Sequence, residues 1–269
     1  MSRSRVRISP RAPYIRSTSR AASPPEGTFP RPMMPSTARH LRSMVPAYFG
    51  PWEVEQWAAL ERQRPAAVIV NPANGPGQSE VAGYRALADR FSTQGTEVFG
   101  YVATGWLARS PVDIAEDVSH YADWYGVKCV FFDEIPNQAH PGRGTVLNQL
   151  RSLRGGARTV FNCGQPVPVR WYRTVPDVRF GTFEGPAEGL HRSAFAGPPQ
   201  RQVHLVHSVS PDQRNAVLAA LGQRQVAFAC VTEDALPNPW DVCPPELQSD
   251  GGKHHQDTTK RVTTIRPEA

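Results

Sequence analysis

The sequence predicts a single α/β domain folded as a (β/α)8 barrel of the TIM type. Eight short apolar runs recur at regular intervals along the chain, and helical patterns separate several of them. Together they occupy about 200 residues, the compact end of the size range for such barrels. A doubly wound open sheet is the weaker alternative, because it also alternates strands and helices.

The strands are predicted from apolar runs rich in β-branched and aromatic residues. Because the runs are continuous rather than alternating, they suit strands buried on both faces, as in a parallel sheet covered by helices. In chain order they are Met44–Phe49, Ala67–Val70, Glu97–Val102, Lys128–Phe132, Arg158–Phe161, Asp177–Phe180, Val203–Val206 and Val226–Val231.

The helices are predicted from apolar residues at three- and four-residue spacing. The first, from Trp52 to Leu60, places Val54, Trp57 and Ala58 on one face. The segments 81–91 and 114–125 repeat the pattern through Tyr84, Leu87 and Ala88 in one and Ile114, Val118, Tyr121 and Tyr125 in the other. The segment 211–221 opens with Pro and Asp, which is typical of a helix N-terminus.

The net charge of +6 is unevenly distributed. Residues 1–43 hold nine arginines against one acid, a net charge of +8, whereas residues 44–246 carry −3 and residues 247–269 carry +1. We therefore expect a disordered Arg/Ser/Pro-rich leader (1–43), the barrel (44–246) and a disordered polar tail (247–269). The leader is either a misassigned start upstream of Met33, Met34 or Met44, or a tether to an anionic surface.

The same charge distribution bears on partners and location. Because the basic charge lies outside the predicted barrel, no nucleic-acid partner is expected. No apolar stretch is long enough for a signal peptide or a membrane span, so the default expectation is a cytoplasmic location. A monomer is also expected. The chain has no Gly-rich phosphate loop, and none of its four cysteines form a CxxC pair, so neither a cofactor nor a metal is expected.

Candidate catalytic residues follow the apolar runs, because barrel active sites are built at the carboxyl ends of the strands. Asp133 and Glu134 follow the fourth run, and Glu184 follows the sixth. Two adjacent acids after an apolar run cost free energy unless hydrogen bonds, water or a substrate compensates. The structural alternatives are a helix cap or an ion pair with Arg109 for the first two, and a surface loop acid for Glu184.

Two carboxylates across a cleft suit glycoside hydrolysis, in which one protonates the leaving oxygen and the other attacks the sugar or activates water. Aromatic, amide and other polar side chains in the same predicted loops suit sugar rings and hydroxyls. Packing explains any one aromatic and turn formation any one asparagine, so the cluster is the evidence. The candidates are Tyr48, Asn71, Asn74, Tyr101, Thr104, Trp106, Asn162, His207, Asp234, Asn238 and Trp240.

Seven motifs in order resemble one known family, the spherulation-specific family 4 (spherulin-4-like) proteins, over about residues 44–246. The motifs are Pro46-Ala-Tyr-Phe-Gly-Pro-Trp52, Asn71-Pro-Ala-Asn-Gly-Pro-Gly77, Gly100-Tyr-Val-Ala-Thr104, Tyr121-Ala-Asp-Trp-Tyr125, Val130-Phe-Phe-Asp-Glu134, Thr182-Phe-Glu-Gly185, and Val231-Thr-Glu-Asp234 followed by Asn238-Pro-Trp240.

The resemblance implies a (β/α)8 barrel and a glycoside hydrolase that cleaves α-1,4-linked N-acetylgalactosamine, with the family's acids falling on Asp133, Glu134 and Glu184. Two departures are expected to line the cleft and to alter the substrate. The family pattern has His-Thr where this chain has Ala103-Thr104, and Asn-Pro-Gly where it has Asn162-Cys163-Gly164. The family's hydrolases are also often extracellular, unlike the default expectation here.

The leading hypothesis is a retaining, endo-acting glycoside hydrolase of a 2-amino- or 2-acetamido-sugar polysaccharide. Glu184 would be the acid/base, Asp133 the nucleophile and Glu134 a supporting residue. If the substrate carries an N-acetyl group, its carbonyl could replace the nucleophile, with Asp133 orienting it. The alternatives are a non-catalytic carbohydrate-binding or developmental protein and, more weakly, an enzyme that holds Mg²⁺ with the three acids.

Overall fold

The computed structural model describes residues 41–193 and 196–247, which contain eight parallel strands. The strands are β1 Met44–Ala47, β2 Ala67–Val70, β3 Glu97–Ala103, β4 Cys129–Asp133, β5 Thr159–Asn162, β6 Arg179–Pro186, β7 Gln202–His207 and β8 Phe228–Val231. The helices are α1 Val54–Gln63, α2 Tyr84–Thr93, α3 Pro111–Tyr125, α4 Arg143–Ser152, α5 Trp171–Thr174, α6 Ala187–Arg192 and α7 Pro211–Arg224, with a 3-10 turn at Pro199–Arg201. Nearly all of the predicted leader and tail lies outside the described residues.

The strands pair in the order of the sequence, from β1 to β8, and the sheet curves round until its first and last strands meet. Ser43 forms a parallel bridge with Ala229, and the Ala229 N–H donates a hydrogen bond to the Arg42 carbonyl at 2.9 Å. A doubly wound sheet would instead reverse its strand order at a switch point. The predicted (β/α)8 barrel is therefore confirmed.

Side chains alternate between the inside of the barrel and the layer beneath the helices. This double burial explains why the strands read as continuous apolar runs. The inward set is Met44, Ile69, Phe99, Phe131, Val160, Leu205 and Phe228, and the outward set includes Val45, Val68, Val98, Phe132, Phe161 and Phe180.

The helices bury the predicted faces, with one exception. Helix α2 buries Tyr84, Leu87, Ala88 and Phe91, and α3 buries Ile114, Val118, Tyr121 and Tyr125, as the spacing predicts. The prediction for Val54 is wrong: it opens α1 beside the exposed Trp52 and is 69% exposed, while Trp57 and Leu60 turn inward. No helix in the described part of the chain is long and apolar enough to cross a membrane.

Serine caps fix the starts of two helices. The Ser110 Oγ accepts a hydrogen bond from the Val112 N–H at 3.2 Å at the start of α3. At the start of α7, Ser210 and Gln213 form a reciprocal capping box. In both helices a proline occupies the first turn, where its missing N–H leaves no donor unpaired.

An irregular segment takes the position of an eighth helix. After β8 the chain runs back along α1, where the Cys243 N–H donates to Gln56 Oε1 at 2.8 Å and Gln63 Nε2 donates to the Pro244 carbonyl at 2.7 Å. At the amino ends of the strands, Leu41 and Leu247 line one small cavity. The two ends of the described chain therefore lie together on this face.

Ion pairs also connect the amino ends of the strands. Glu97, at the start of β3, pairs with Arg42 at 3.4 Å, with Arg158, and with Arg179 at 3.7 Å. The guanidinium groups of Arg42 and Arg179 lie 4.6 and 4.9 Å from the centre of the Phe228 ring. This cluster, Glu97 with its three arginines, links residues from both ends of the barrel sequence.

Candidate active site

The carboxyl ends of β3 to β6 bring four polar side chains together inside the barrel mouth. Tyr101, Asp133 and Asn162 have the same inward alternation as Phe99, Phe131 and Val160, the apolar residues that precede them on β3, β4 and β5. Glu184 joins them from β6. The predicted convergence of strand ends therefore produces a polar cluster above an apolar floor.

Asp133 is held by donors on three sides. The Tyr101 hydroxyl donates to its Oδ2 at 2.9 Å, and Asn162 Nδ2 donates to its Oδ1 at 2.8 Å. The Glu134 backbone N–H also donates to the carboxylate. These bonds fix the orientation of the Asp133 carboxylate while leaving it partly exposed to solvent.

Asn162 joins the two candidate catalytic acids. Its Nδ2 also donates to Glu184 Oε2 at 2.7 Å. Because Asp133 Oδ1 and Glu184 Oε2 contact one nitrogen at 2.8 and 2.7 Å, they are at most the sum of these distances apart, 5.5 Å. Asp133 and Glu184 therefore form a close carboxylate pair.

A bulge in β6 directs Glu184 into the barrel. The predicted sixth strand ends at Phe180, whereas β6 continues to Pro186. Its register against β7 shifts between Gly181 and Phe183, so that Glu184 pairs with the inward-facing Leu205. The expectation that Glu184 follows the strand is therefore corrected: it lies within the strand, and the extra residue changes the face on which it lies.

Burial within the site raises the pKa of Asp133 and of two neighbouring tyrosines. Burial and the nearby Glu184 charge raise the pKa of Asp133 to about 7, although its hydrogen bonds act in the opposite direction. Because the Glu184 charge contributes to this shift, the protonation of one acid depends on the charge of the other. Burial and the Asp133 charge also raise the pKa of Tyr101 and of Tyr48, so both phenols stay protonated.

Glu134 is not brought to the pair. Neighbouring residues of a strand point to opposite faces, and Glu134, with φ of 58°, turns its Oε2 to accept the Gly105 N–H at 2.9 Å. Thr104 is fully buried, and its hydroxyl contacts the carbonyls of Asp133 and Glu134, each at 2.9 Å. Both residues therefore hold the turns after β3 and β4 together.

The asparagines of the loop after β2 have separate environments. Asn71 is 2% exposed, and its Oδ1 accepts the Gly75 N–H at 2.9 Å. Its Nδ2 has no hydrogen-bond partner in the described part of the chain. Asn74 is exposed, with φ of 57°, at the tip of the same loop. Asn71 therefore holds the loop, and only Asn74 is freely accessible.

The predicted aromatic residues differ in exposure. Tyr48 packs edge-on against Tyr101, with ring centres 5.6 Å apart, and lies near both acids. Trp106 is 41% exposed and lines a groove of about 750 Å³ between α3 and α4, whose lining includes neither Asp133 nor Glu184. Trp52, which was not a predicted site residue, is 74% exposed after β1.

The candidates after β7 and β8 form part of the barrel wall. Trp240 is 3% exposed and packs edge-on against His207, with ring centres 6.2 Å apart, while its carbonyl accepts the Tyr48 N–H at 3.0 Å. The Asn238 Oδ1 accepts the Trp240 N–H at 3.3 Å, and the Asp234 Oδ2 accepts the Thr232 hydroxyl at 3.1 Å. Trp240 therefore supports Tyr48 through its carbonyl, and its buried ring packs against His207 rather than offering an open sugar platform.

The three acids do not assemble as a metal site. Glu134 accepts the Gly105 N–H, and within residues 41–193 and 196–247 no group of three His, Cys, Asp or Glu side chains is placed to hold a metal ion. Carboxylate oxygens would suit Mg²⁺, but only two of the three reach one another. The magnesium hypothesis therefore has no geometric support.

Gly181 contributes to the geometry of the candidate site and is absent from the residues that the sequence analysis predicts. A Cβ atom at Gly181 would lie 2.0 Å from Asn162 Oδ1, so the absence of a side chain makes room for the amide. Glycine inside a strand is a known signal of a bulge or a close approach. That signal was present in Arg179-Phe-Gly-Thr182.

Comparison with known families and proteins gives consistent matches. A family model described as spherulation-specific family 4 matches residues 42–249. Spherulin-4 from Physarum polycephalum is 29% identical over 136 residues, which are 48% of this chain and 41% of that protein. The matched part of the chain thus spans less than half the length of this curated relative.

Solved structures share the barrel. Aspergillus clavatus Sph3 in complex with GalNAc has a TM-score of 0.63 at 21% identity, over 75% of this chain and 92% of that one. The GH99 endo-alpha-mannosidase from Bacteriodes thetaiotaomicron has a TM-score of 0.46 at 9% identity, over 76% and 84% of the two chains. The first likeness shows a common fold, and the second is too distant to be used further.

Proposed function

Since the chain belongs to the spherulation-specific family 4, we propose that it is a glycoside hydrolase in which Asp133 and Glu184 carry the reaction. The barrel itself is of the glycoside hydrolase-like type. The observation that carries the proposal is the close carboxylate pair, joined by one amide nitrogen at 2.8 and 2.7 Å at the carboxyl ends of the strands. Most glycoside hydrolases use a pair of such acids.

The separation of the pair supports a retaining mechanism. Retaining enzymes hold their carboxyl groups about 5–5.5 Å apart, whereas inverting enzymes separate them by about 6.5–9.5 Å to admit a water molecule. The nearest oxygens of Asp133 and Glu184 are at most 5.5 Å apart. In this mechanism Asp133 attacks the anomeric carbon and Glu184 protonates the leaving oxygen. Glu184 then deprotonates the water that releases the sugar from Asp133.

The hydrogen bonds around Asp133 support this division of roles. Tyr101, Asn162 and the Glu134 N–H donate to its carboxylate and so favour its ionised form. These bonds oppose the burial that raises the pKa of Asp133 to about 7, and Glu184 is proposed to supply the proton to the leaving oxygen. An ionised nucleophile and a protonated acid are the states with which a retaining glycosidase begins its cycle.

The proposed substrate is a 2-amino- or 2-acetamido-sugar polysaccharide, with α-1,4-linked N-acetylgalactosamine as the example and internal bonds as the point of cleavage. The GalNAc complex of the structurally similar Sph3 supports this class. Ala103 is an inward residue paired with Asp133, so its departure from the family's histidine changes the cleft beside the nucleophile. Cys163, in contrast, packs outward, so the expectation that both departures line the cleft holds only for Ala103.

The test is hydrolysis by the full chain of partially deacetylated galactosamine and glucosamine polymers, with products identified by mass. We expect internal cleavage, and a loss of about 10²–10⁴-fold or more in rate for Asp133→Asn and for Glu184→Gln. The matched controls are Asp123→Asn and Glu116→Gln on the exposed side of α3, which should hydrolyse like the parent. Unchanged hydrolysis in both active-site variants would overturn the proposal.

The stereochemistry of the first product tests the mechanism separately. Retention predicts that an α-linked substrate releases an α-anomer first, which proton NMR detects before mutarotation. A β-anomer would replace the retaining mechanism with inversion. An inert parent that binds oligosaccharide as tightly as its Asp133→Asn variant would instead select the non-catalytic binding function, which the Ala103 departure beside Asp133 favours as the second candidate.

A further inference from the structure

We infer that Gly181 and Thr182 are positioning residues, which set the geometry of the carboxylate pair through the bulge in β6. The inference deepens the proposed function and rests on it for its kinetic readout. Neither residue is among the predicted site residues, and each acts on the acids through another group. Gly181 acts through Asn162, and Thr182 acts through the direction of Glu184.

The first step is the alternation along β6. Arg179 lies inward over the Phe228 ring, and Phe180 packs outward beneath the helices. Regular alternation would then place Gly181 and Phe183 inward and Glu184 outward. The register shift instead pairs Phe183 with the outward His204 and Glu184 with the inward Leu205. One extra residue, Thr182, therefore exchanges the faces of Phe183 and Glu184.

The second step is the network that holds this extra residue in place. The Thr182 hydroxyl lies 2.9 Å from Gln202 Oε1 and 3.1 Å from His204 Nε2. Gln202 Nε2 donates to the carbonyls of Ala196 and Gly197, at 2.9 and 3.3 Å, so its Oε1 must accept the hydroxyl proton. His204 then donates to the hydroxyl oxygen. Burial lowers the pKa of His204 to about 3, so the ring is neutral in this role.

The network has no access to water. Thr182, Gln202 and His204 are 3%, 1% and 2% exposed. A buried polar group that loses its partner cannot recover the hydrogen bond from solvent, so such networks specify one local geometry strongly. The hydrogen bonds that hold the bulge thus lie in the layer beneath the helices. The side chain that the bulge redirects, Glu184, lies inside the barrel.

The third step is the space at Gly181. A Cβ atom there would lie 2.0 Å from Asn162 Oδ1 and 2.9 Å from Asn162 Cγ. The same Oδ1 accepts the Gly164 N–H at 3.3 Å, while the amide nitrogen contacts both acids. Any side chain at position 181 would therefore displace the amide that joins Asp133 to Glu184.

The kinetic experiment compares Thr182→Val, Thr182→Ser and Thr159→Val in the full chain. Valine keeps the shape and removes the hydroxyl, and serine keeps the hydroxyl. Thr159 is a fully buried threonine on β5 whose hydroxyl finds no hydrogen-bond partner among the residues that the structure describes. Since a misplacement of about 1 Å can cost roughly 10²-fold in rate, we expect Thr182→Val to lower kcat by about 10–100-fold with KM within about twofold. Thr182→Ser should restore most of kcat, and Thr159→Val should match the parent.

The geometric experiment needs no turnover. Crystal structures of the parent, Thr182→Val and Gly181→Ala would measure the distance from Asn162 Nδ2 to Glu184 Oε2, which we expect to exceed hydrogen-bonding range in both variants. Gly181→Ala is the second route, because it leaves the Thr182 network intact. An unchanged carboxylate pair in both variants would overturn the inference, as would folded variants with the parent kcat. A parent that fails to hydrolyse any polymer would overturn the proposed function alone, because the distances still decide the inference.

Discussion

At the scale of single residues, the site depends on a neutral donor. Asn162 offers two N–H bonds from one nitrogen and places one on each carboxylate. A lysine or arginine in the same place would bring a positive charge beside the acids and so lower the pKa of each. An amide holds the two acids together without that effect. The sequence predicted Asn162 as a sugar ligand, because nothing in its neighbours reveals that Gly181 makes room for this contact.

Asp133 should make stability depend on pH. Its ordinary pKa is 3.8 and burial beside Glu184 raises it to about 7, so the folded protein binds more protons than the unfolded chain between these values. Stability is therefore fullest below about pH 4 and falls as the pH rises towards 7. We expect Asp133→Asn to raise the melting temperature at pH 8 by roughly 4–8 °C, equivalent to about 2 kcal/mol after allowance for partial solvent exposure.

Thermal melts of parent and variant between about pH 3 and pH 8 would measure this difference. The two curves should converge towards about pH 3, below the ordinary pKa of 3.8, where the folded and unfolded parent are both largely protonated at this position. Asp123→Asn, on the exposed face of α3, should run parallel to the parent throughout. A constant gap between Asp133→Asn and the parent would show that the carboxyl does not titrate with the expected pKa.

At the scale of elements, the spacing of apolar residues predicted the strands and the helix faces that are buried. The strands, the buried faces of α2 and α3, and the start of α7 follow from patterns of apolar residues and from helix-capping chemistry, which are local. The direction of Glu184 was not predictable in this way. It depends on a register shift against β7, set by hydrogen bonds to residues about twenty positions away.

The capping box of α7 gives a prediction for one element. Ser210→Ala removes the side-chain acceptor at the start of the helix and should lower the free energy of unfolding by about 1 kcal/mol. Chemical denaturation with urea would measure the change. Ser119→Ala is the matched control, because Ser119 lies inside α3 and its hydroxyl donates to the Ala115 carbonyl at 3.0 Å rather than capping a helix end. It should be neutral or slightly stabilising, since alanine is the better helix former.

Ser210→Ala should leave the carboxylate pair unaffected, because Ser210 is exposed and its capping partner is Gln213 of the same helix. A loss of stability equal to that of Ser119→Ala would mean that the capping box contributes nothing to α7.

At the scale of the whole molecule, the barrel has chemistry at one end and a charge cluster at the other. The cluster around Glu97 joins residues before β1 and at the starts of β3, β5 and β6, and it covers the Phe228 ring of β8. In barrels of this kind the amino-terminal face contributes to stability, and the opposite face holds the active site. The sequence could not predict this cluster, because its members are separated by up to 137 positions between Arg42 and Arg179.

Glu97→Gln should destabilise the whole barrel, because three arginines then lose the carboxylate between them. The Glu97 side chain is 13% exposed and Arg179 is 20% exposed, so we expect a loss of about 1–3 kcal/mol. Glu61→Gln is the control: Glu61 pairs with Arg90 at 3.2 Å on the surface, where such a pair contributes about 0–1 kcal/mol. Melting temperatures at low and high salt would measure both, and equal losses in the two variants would contradict the prediction.

The meeting of Leu41 and Leu247 at one small cavity has a practical consequence. Because this cavity lies at the amino ends of the strands, with Ser43 and Ala66 in its lining, it is at the opposite end of the barrel from Asp133 and Glu184. A surface, bead or fused domain attached at either residue would leave the carboxylates facing away from it. A short linker could also join the two positions, so that the barrel could be reopened elsewhere as a circular permutant with its mouth intact.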